Sequence, residues 1–240
     1  MSNFLPYFCD NNKIGIMKEL LHPAEYIRRV DINPLWGKKH IVWELRPDVN
    51  ILSGVNGIGK STIMRKMAQQ MEHENLPSVT ITYEPSKADG IPFDVFHGGE
   101  SNGLGRLLSR YAYCKANRQT FYRVADELFA VTEKTIVRTP DEILFRQDGE
   151  VLTTDQLSSG ERQMLAILLT VLLQEERPCV LFMDEPEISL HFEWQERLIS
   201  IVRELNPHVQ IILSTHSPAI IMSGWMDAVT EVTDITVEKG

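Results

Sequence analysis

Apolar residues fall into short runs separated by glycine-rich or polar turns, and their spacing changes along the chain. Tyr26 to Ile32 and His40 to Leu45 alternate or cluster apolar side chains as strands do, and Asn50 to Ser53 adds a third such run ending at a glycine. Lys60 to Met71 reads as a helix, and Val79 to Tyr83 has the β-branched content of a strand. Gly90 to Gly105 is rich in glycine and predicts a loop. Leu104 to Ala116 and Gln119 to Val131 carry leucine, tyrosine and phenylalanine at three- and four-residue spacings, which predicts two helices forming a small lobe. Ile136 to Arg138, Glu142 to Phe145 and Val151 to Leu152 read as short strands bounded by Pro140 and Gly149. The helix predicted over Ser159 to Gln174 is apolar nearly all round and hence buried. A strand at Val180 to Met183, a helix at Phe192 to Leu205, a strand at Gln210 to Leu213 and a strand-like tail from Ala228 complete the pattern. Strands alternating with helices predict an α/β fold with a mainly parallel sheet and right-handed crossovers.

Composition narrows the classes open to such a chain. With 240 residues and 43% hydrophobic content it can bury a full core, and the length suits one large α/β domain or a domain carrying a subdomain. A net charge of -9 argues against a broadly basic surface for nucleic acid, so contact with DNA stays open only through a local patch or a basic partner. The three cysteines, Cys9, Cys114 and Cys179, form no C-x-x-C pair, suggest neither a disulfide framework nor a zinc site, and fit a reducing cytoplasm. The N-terminus shows no sustained apolar core of a leader peptide, and Met164 to Leu173 falls short of the ~20 residues that cross a bilayer. No membrane association is expected.

The candidate chemistry begins at Gly54-Val55-Asn56-Gly57-Ile58-Gly59-Lys60-Ser61-Thr62, which has the form G-x-x-x-x-G-K-[ST] and directly follows an apolar run. A loop whose backbone N–H groups point inward at phosphate oxygens needs the unusual backbone that glycines 54, 57 and 59 allow. Lys60 adds a point charge for the β- and γ-phosphates, and Ser61 offers a hydroxyl to Mg2+. Asn56 to Thr62 are therefore the expected phosphate-binding residues. Downstream, the apolar strand Cys179 to Met183 delivers Asp184 and Glu185 at its C-terminal end, where open α/β sheets bind ligands. Asp184 is expected to serve Mg2+, and Glu185 to polarise or orient an attacking water.

A third element, Leu157-Ser158-Ser159-Gly160-Glu161-Arg162-Gln163, opens the buried helix. Ser158 and Glu161 have the spacing of a capping box, which accounts for them as a helix start. The same turn, with Gly160, is also a second anion site, useful where two chains meet. Together with Gly54 to Thr62, Val180 to Glu185 and Ser214-Thr215-His216, this stretch resembles the ABC-type ATPases, with the motifs in the same order over most of the chain. The wording Asp184-Glu185-Pro186-Glu187-Ile188-Ser189-Leu190-His191, then Trp194-Gln195 and Thr215-His216-Ser217-Pro218, is similar to the bacterial AAA ATPases akin to RecF, Rad50 and the OLD nucleases.

The resemblance implies an ATPase head: a mainly parallel P-loop sheet flanked by helices, an N-terminal antiparallel β portion and a small helical lobe. It implies one domain over residues 1–240, with 26–97 and 178–240 as nucleotide-binding core and 98–177 as helical and signature lobe. ATP and Mg2+ are the implied cofactors. They would be held in a head-to-tail homodimer, between the glycine loop of one copy and Ser158 and Gly160 of the other. Lys60, Glu185 and His216 are the implied catalytic residues, Ser61 and Asp184 the implied metal ligands. The group serves DNA repair and phage defence, and the short interval between glycine loop and signature suggests a head without coiled-coil arms, acting through a separate effector such as a nuclease. A transporter ATPase subunit and a non-hydrolysing ATP-dependent switch are the competing readings. The glutamine that usually joins the sheet to the lobe has no clear counterpart, since neither Gln69 nor Gln119 is well placed, and the role of His191 stays open. For Trp36, with Lys38 nearby, stacking on adenine and packing on a sheet edge are equal readings.

Overall fold

A computed structural model describes residues 24–72, 76–86, 90–99 and 103–237. Its centre is a five-stranded parallel sheet of β3 (Val49–Ser53), β5 (Phe93–His97), β9 (Cys179–Asp184), β10 (Val209–Ser214) and β11 (Val229–Glu231), in the order β11-β3-β10-β9-β5. Every residue of β10 is buried, and all of β9 but Asp184, because both faces of the sheet are covered. The strand period of two sorts their side chains. Val49, Ile51, Leu181, Met183, Ile211 and Leu213 enter one core, while Leu52, Val180, Phe182 and Ile212 enter the other.

The second of these cores lies under α1 (Lys60–Met71) and a four-stranded antiparallel sheet, ordered β12-β2-β1-β4. That sheet consists of β1 (Tyr26–Leu35), β2 (Lys39–Glu44), β4 (Val79–Glu84) and β12 (Thr236–Val237), so the end of the described chain pairs with its beginning. The first core is capped by α3 (Arg118–Phe129), α4 (Ser159–Leu172) and α5 (Phe192–Leu205), with α2 (Leu104–Tyr111) against α4 and α6 (Pro218–Met222) against α5. A three-stranded antiparallel sheet of β6 (Thr135–Arg138), β7 (Ile143–Gln147) and β8 (Glu150–Leu152) completes this side. Phe129 lies 4.5 Å from Phe145 and 5.6 Å from Trp194, ring centre to ring centre, and the Trp194 indole N–H donates to the Leu128 carbonyl at 3.1 Å. These contacts fasten the α3 and β7 region onto α5 without leaving the indole nitrogen unpaired.

The fold class matches the expectation, with two departures. The glycine-rich stretch Gly90 to Gly105 is not all loop: Phe93 to His97 forms the edge strand β5, in register with β9 from Phe93 opposite Val180 to His97 opposite Asp184. A five-residue strand between glycines carries little local signal, and pairing with β9, more than 80 residues on, supplies its stability. The expected helix Leu104 to Ala116 ends at Tyr111. Cys9 lies outside the described residues, and Cys114 and Cys179 are free thiols. Among the described residues no helix is long and apolar enough to cross a membrane.

Candidate functional site

The parallel strands β3, β9 and β10 end side by side, and their C-terminal turns carry the expected chemistry on one edge of the sheet. From Ser53 the chain enters the glycine loop, where Gly54, Gly57 and Gly59 have φ of 142°, 78° and 120°, values that L side chains rarely adopt. No side chain caps the start of α1, so the free N–H groups of its first turn and its positive end face the loop. Asn56 and Gly57 are exposed at the loop's tip and Ile58 folds back on Gly54, while Thr62 is half-buried on α1.

Lys60 is buried, at 5% exposure, with its ammonium turned into the loop. Nζ donates to the carbonyl of Gly54 at 2.8 Å and lies 2.7 Å from Nε2 of His216. The same Nε2 lies 3.9 Å from Oε1 of Glu185. Lys60, His216 and Glu185 thus form one contiguous group.

Asp184 anchors a second group beside the first. Its Oδ1 accepts from the hydroxyl of Ser61 at 3.0 Å and from that of Ser214, and its Oδ2 lies 3.6 Å from Nδ1 of His97. Among the described residues no cluster of three His, Cys, Asp or Glu side chains could hold a metal unaided. Ser61 and Asp184 are hard oxygen donors, which suits Mg2+, an ion that takes few protein ligands and completes its shell with phosphate and water. Directly after Asp184 the backbone turns through Glu185, at φ 49°, and Glu185 N–H donates to the Ser214 carbonyl at 3.0 Å.

Two residues that the sequence reading gave no role position this machinery. Glu187 Oε1 accepts the backbone N–H of His216 at 2.7 Å, holding the histidine by its main chain. Gln195 accepts from the Ser217 hydroxyl at 2.7 Å and donates to the Leu190 carbonyl at 3.0 Å, tying the turn after β10 to the turn before α5. Both belong to the stretch whose wording carried the resemblance, and that wording was the only sequence signal for them. His191 is exposed, its ring edge-on to Trp194 at 4.9 Å.

The signature turn stands apart. Ser158 caps α4 in the expected reciprocal way: Glu161 N–H donates to Ser158 Oγ at 3.3 Å, and Ser158 N–H to Glu161 Oε2 at 2.7 Å. Ser158 is exposed, whereas Gly160 is buried so closely against the Ser189 carbonyl that a Cβ there would overlap it. Among the described residues no hydrogen bond joins Ser158 or Gly160 to the glycine loop of the same chain. Burial would raise the Glu161 carboxyl, but the neighbouring Thr132 and Lys134 side chains and the Ser158 N–H outweigh it and pull the group down to about 2. Lys134 Nζ lies 2.9 Å from Glu161 Oε1, and both side chains are nearly buried.

Trp36 sits in a left-handed turn, φ 52°, that folds its half-exposed indole onto the glycine loop. A Cβ at Gly59 would lie 2.6 Å from Cη2 of that ring. The neighbouring cation is Lys39, 5.7 Å from the ring centre, rather than Lys38.

Comparison with known proteins bears on the fold. Residues 116–223 match the family described as "AAA domain, putative AbiEii toxin, Type IV TA system". The SMC head domain from Thermotoga maritima superposes with a TM-score of 0.53 at 18% identity, covering 82% of this chain and 91% of that one. The fold is that of an ABC-type P-loop ATPase head. Among curated proteins, this head is 25% identical over 124 residues to the Retron Ec83 probable ATPase of Escherichia coli, covering 45% of the chain and 23% of that protein. It is 28% identical over 164 residues to the hemin import ATP-binding protein HmuV of a Ruegeria strain, covering 65% of the chain and 60% of that protein. The chain therefore spans less than a quarter of the first relative and three fifths of the second.

Proposed function

We propose that the chain binds ATP with Mg2+ and hydrolyses it in a site completed by a second copy, using the resulting association to drive or gate a partner in DNA repair or phage defence. The observation that carries the reading is the convergence of Lys60, His216 and Glu185 beside the Ser61 and Asp184 pair, where the start of α1 meets the ends of β9 and β10.

In this reading the glycine loop and the start of α1 hold the phosphates through backbone N–H groups, and Lys60 exchanges its carbonyl and imidazole partners for phosphate oxygens. Ser61 and Asp184 would hold the metal, which when bound spreads positive charge over the phosphate oxygens. Glu185 takes a proton from the attacking water as its oxygen bonds to the γ-phosphorus and the bond to the ADP oxygen breaks. His216, whose Nε2 lies near both Lys60 and Glu185, would face the γ-phosphate. Ser158 and Gly160 make no bond to the loop of their own chain, which supports their serving a second copy, head to tail. Residues 98–177 then act as the lobe that carries this face, and 26–97 with 178–240 as the nucleotide core, within one domain.

Similarity to HmuV favours a second reading, the nucleotide-binding subunit of a transporter. Recovery of a permease with the tagged chain from a membrane fraction supports that reading against the first. The deciding measurement for catalysis is steady-state ATP hydrolysis in the wild type and in Glu185→Gln. Loss of roughly a hundredfold or more in the variant is expected for removal of a general base, together with an ATP-held dimer in light scattering. Unchanged turnover in Glu185→Gln removes the residue from the reaction, and negligible turnover in both proteins leaves a nucleotide-dependent switch.

A further inference from the structure

Gln163, at the start of the second turn of α4, is 1% exposed, and both ends of its amide are engaged. Its Oε1 accepts the N–H of Gly99 at 3.0 Å, and its Nε2 donates to the carbonyl of Pro186 at 2.7 Å. Both partners belong to segments that adjoin the two carboxylates. Pro186 directly follows Glu185. Gly99 ends the turn His97-Gly98-Gly99, which is fastened to Asp184 twice, by Gly98 N–H to the Asp184 carbonyl at 2.8 Å and by His97 Nδ1 at 3.6 Å from Oδ2.

The junction has no slack. A Cβ at Gly98 would overlap the carbonyl oxygen of Glu185, and one at Gly160 the carbonyl oxygen of Ser189, so backbone meets backbone at both glycines. A displacement of the Asp184 and Glu185 strand end cannot be absorbed by side-chain repacking at these points. It must be passed to α4, on whose first turn Ser158 and Gly160 stand. Gln163 is the side chain whose hydrogen bonds hold all three segments in register.

We propose that Gln163 is a positioning residue that couples the metal-side carboxylates to the face offered to a second copy. It acts from the lobe side, through main-chain groups. This inference rests on the proposed ATP-dependent dimer, and the tests below separate the two.

In the Glu185→Gln background, Gln163→Leu keeps the side-chain bulk and removes both hydrogen bonds. The expected result is ATP-dependent dimerisation weakened at least about tenfold, within the range of measured couplings between sites. Affinity of the monomer for a fluorescent ATP analogue should change less than about threefold. Dimerisation equal to that of the parent overturns the coupling, as does a loss that merely follows a loss of nucleotide affinity. Should Gln163→Leu fail to fold, hydrogen exchange on the unaltered protein decides the matter at a concentration where it is monomeric. Mg-ATP is expected to slow exchange at residues 97–99 and at the first turn of α4 together, and slowing at 97–99 alone overturns the proposal. If the Glu185→Gln parent stays monomeric with ATP, the dimer reading fails, while the exchange experiment still decides the coupling.

Discussion

The ammonium of Lys60 and the imidazole of His216 are hydrogen-bonded to each other, Nζ to Nε2 at 2.7 Å, across 156 positions of sequence. Lys60 also donates to the Gly54 carbonyl, so its charge already sits between the glycine loop and the end of β10. Phosphate oxygens are the stronger acceptors, since hydrogen bonds between ionised partners are roughly twice as strong as neutral ones. The two side chains should therefore separate in function. Lys60→Ala is expected to lower ATP affinity about a hundredfold, whereas His216→Ala should lower kcat at least about tenfold with nucleotide affinity nearly unchanged. Fluorescent-nucleotide binding beside steady-state turnover checks both, and a His216→Ala variant that loses affinity but not kcat contradicts the assignment.

The shared oxygen of Asp184 gives a prediction about metal. Ser61 and Ser214 both donate to Oδ1, which fixes the carboxylate before any ion arrives. Chelation by EDTA should abolish turnover, and Ser61→Ala should raise the Mg2+ concentration at half-maximal rate about tenfold or more. Ser214→Ala, which removes only the orienting hydroxyl, should raise it less. Equal shifts for the two variants would place Ser61 outside the metal shell and leave it an orienting group.

The ion pair of Lys134 and Glu161 predicts how stability depends on pH. The ordinary value for this carboxyl is 4.5, and in the folded chain it is held down at about 2. Its contribution is therefore fully present above about pH 4.5 and is lost as pH falls toward 2. Breaking a buried pair by removing one partner costs about 3–5 kcal/mol, so Lys134→Met should lose an amount of that order at pH 7 and clearly less at pH 3, where the stranded carboxylate takes up a proton. Urea unfolding at the two pH values tests this. An equal loss at both would mean that lost packing of the lysine stem outweighs the charge.

What was legible in the sequence follows from how local each signal is. Lys60 to Met71 is a helix with the expected bounds, because a lysine just after the glycine loop and a run of helix formers define it within one segment. Strands β3, β9 and β10 were readable as continuous apolar runs, since a sheet covered on both faces leaves no alternation to find. β5 was not readable, because its five residues become a strand only by pairing with β9. The same holds for the roles of Gln163 and Glu187, which depend on main-chain groups 64 and 29 positions away. For Trp36 stacking and packing were equal readings, and the direction of the ring was not legible, because the left-handed Trp36-Gly37 turn that folds it onto Gly59 puts a positive φ on a tryptophan, which no local signal marks.

That direction supplies the last prediction. The Trp36 indole lies on Gly59, is 50% exposed and has Lys39 near its face, so one side of the ring props the phosphate loop and the other is open. Stacking of a nucleobase on an aromatic ring is worth about 1–3 kcal/mol by alanine substitution, and a ring exposed on one side belongs at the low end. Trp36→Ala should weaken ATP binding roughly fivefold, and Trp36→Phe should recover most of it. Inorganic tripolyphosphate separates the two faces of the ring, since it carries the phosphates without the base. If adenine stacks on the open face, Trp36→Ala should leave inhibition by tripolyphosphate unchanged while ATP affinity falls. If ATP and tripolyphosphate weaken together, the indole acts only by supporting the loop through Gly59, and the base must be held elsewhere.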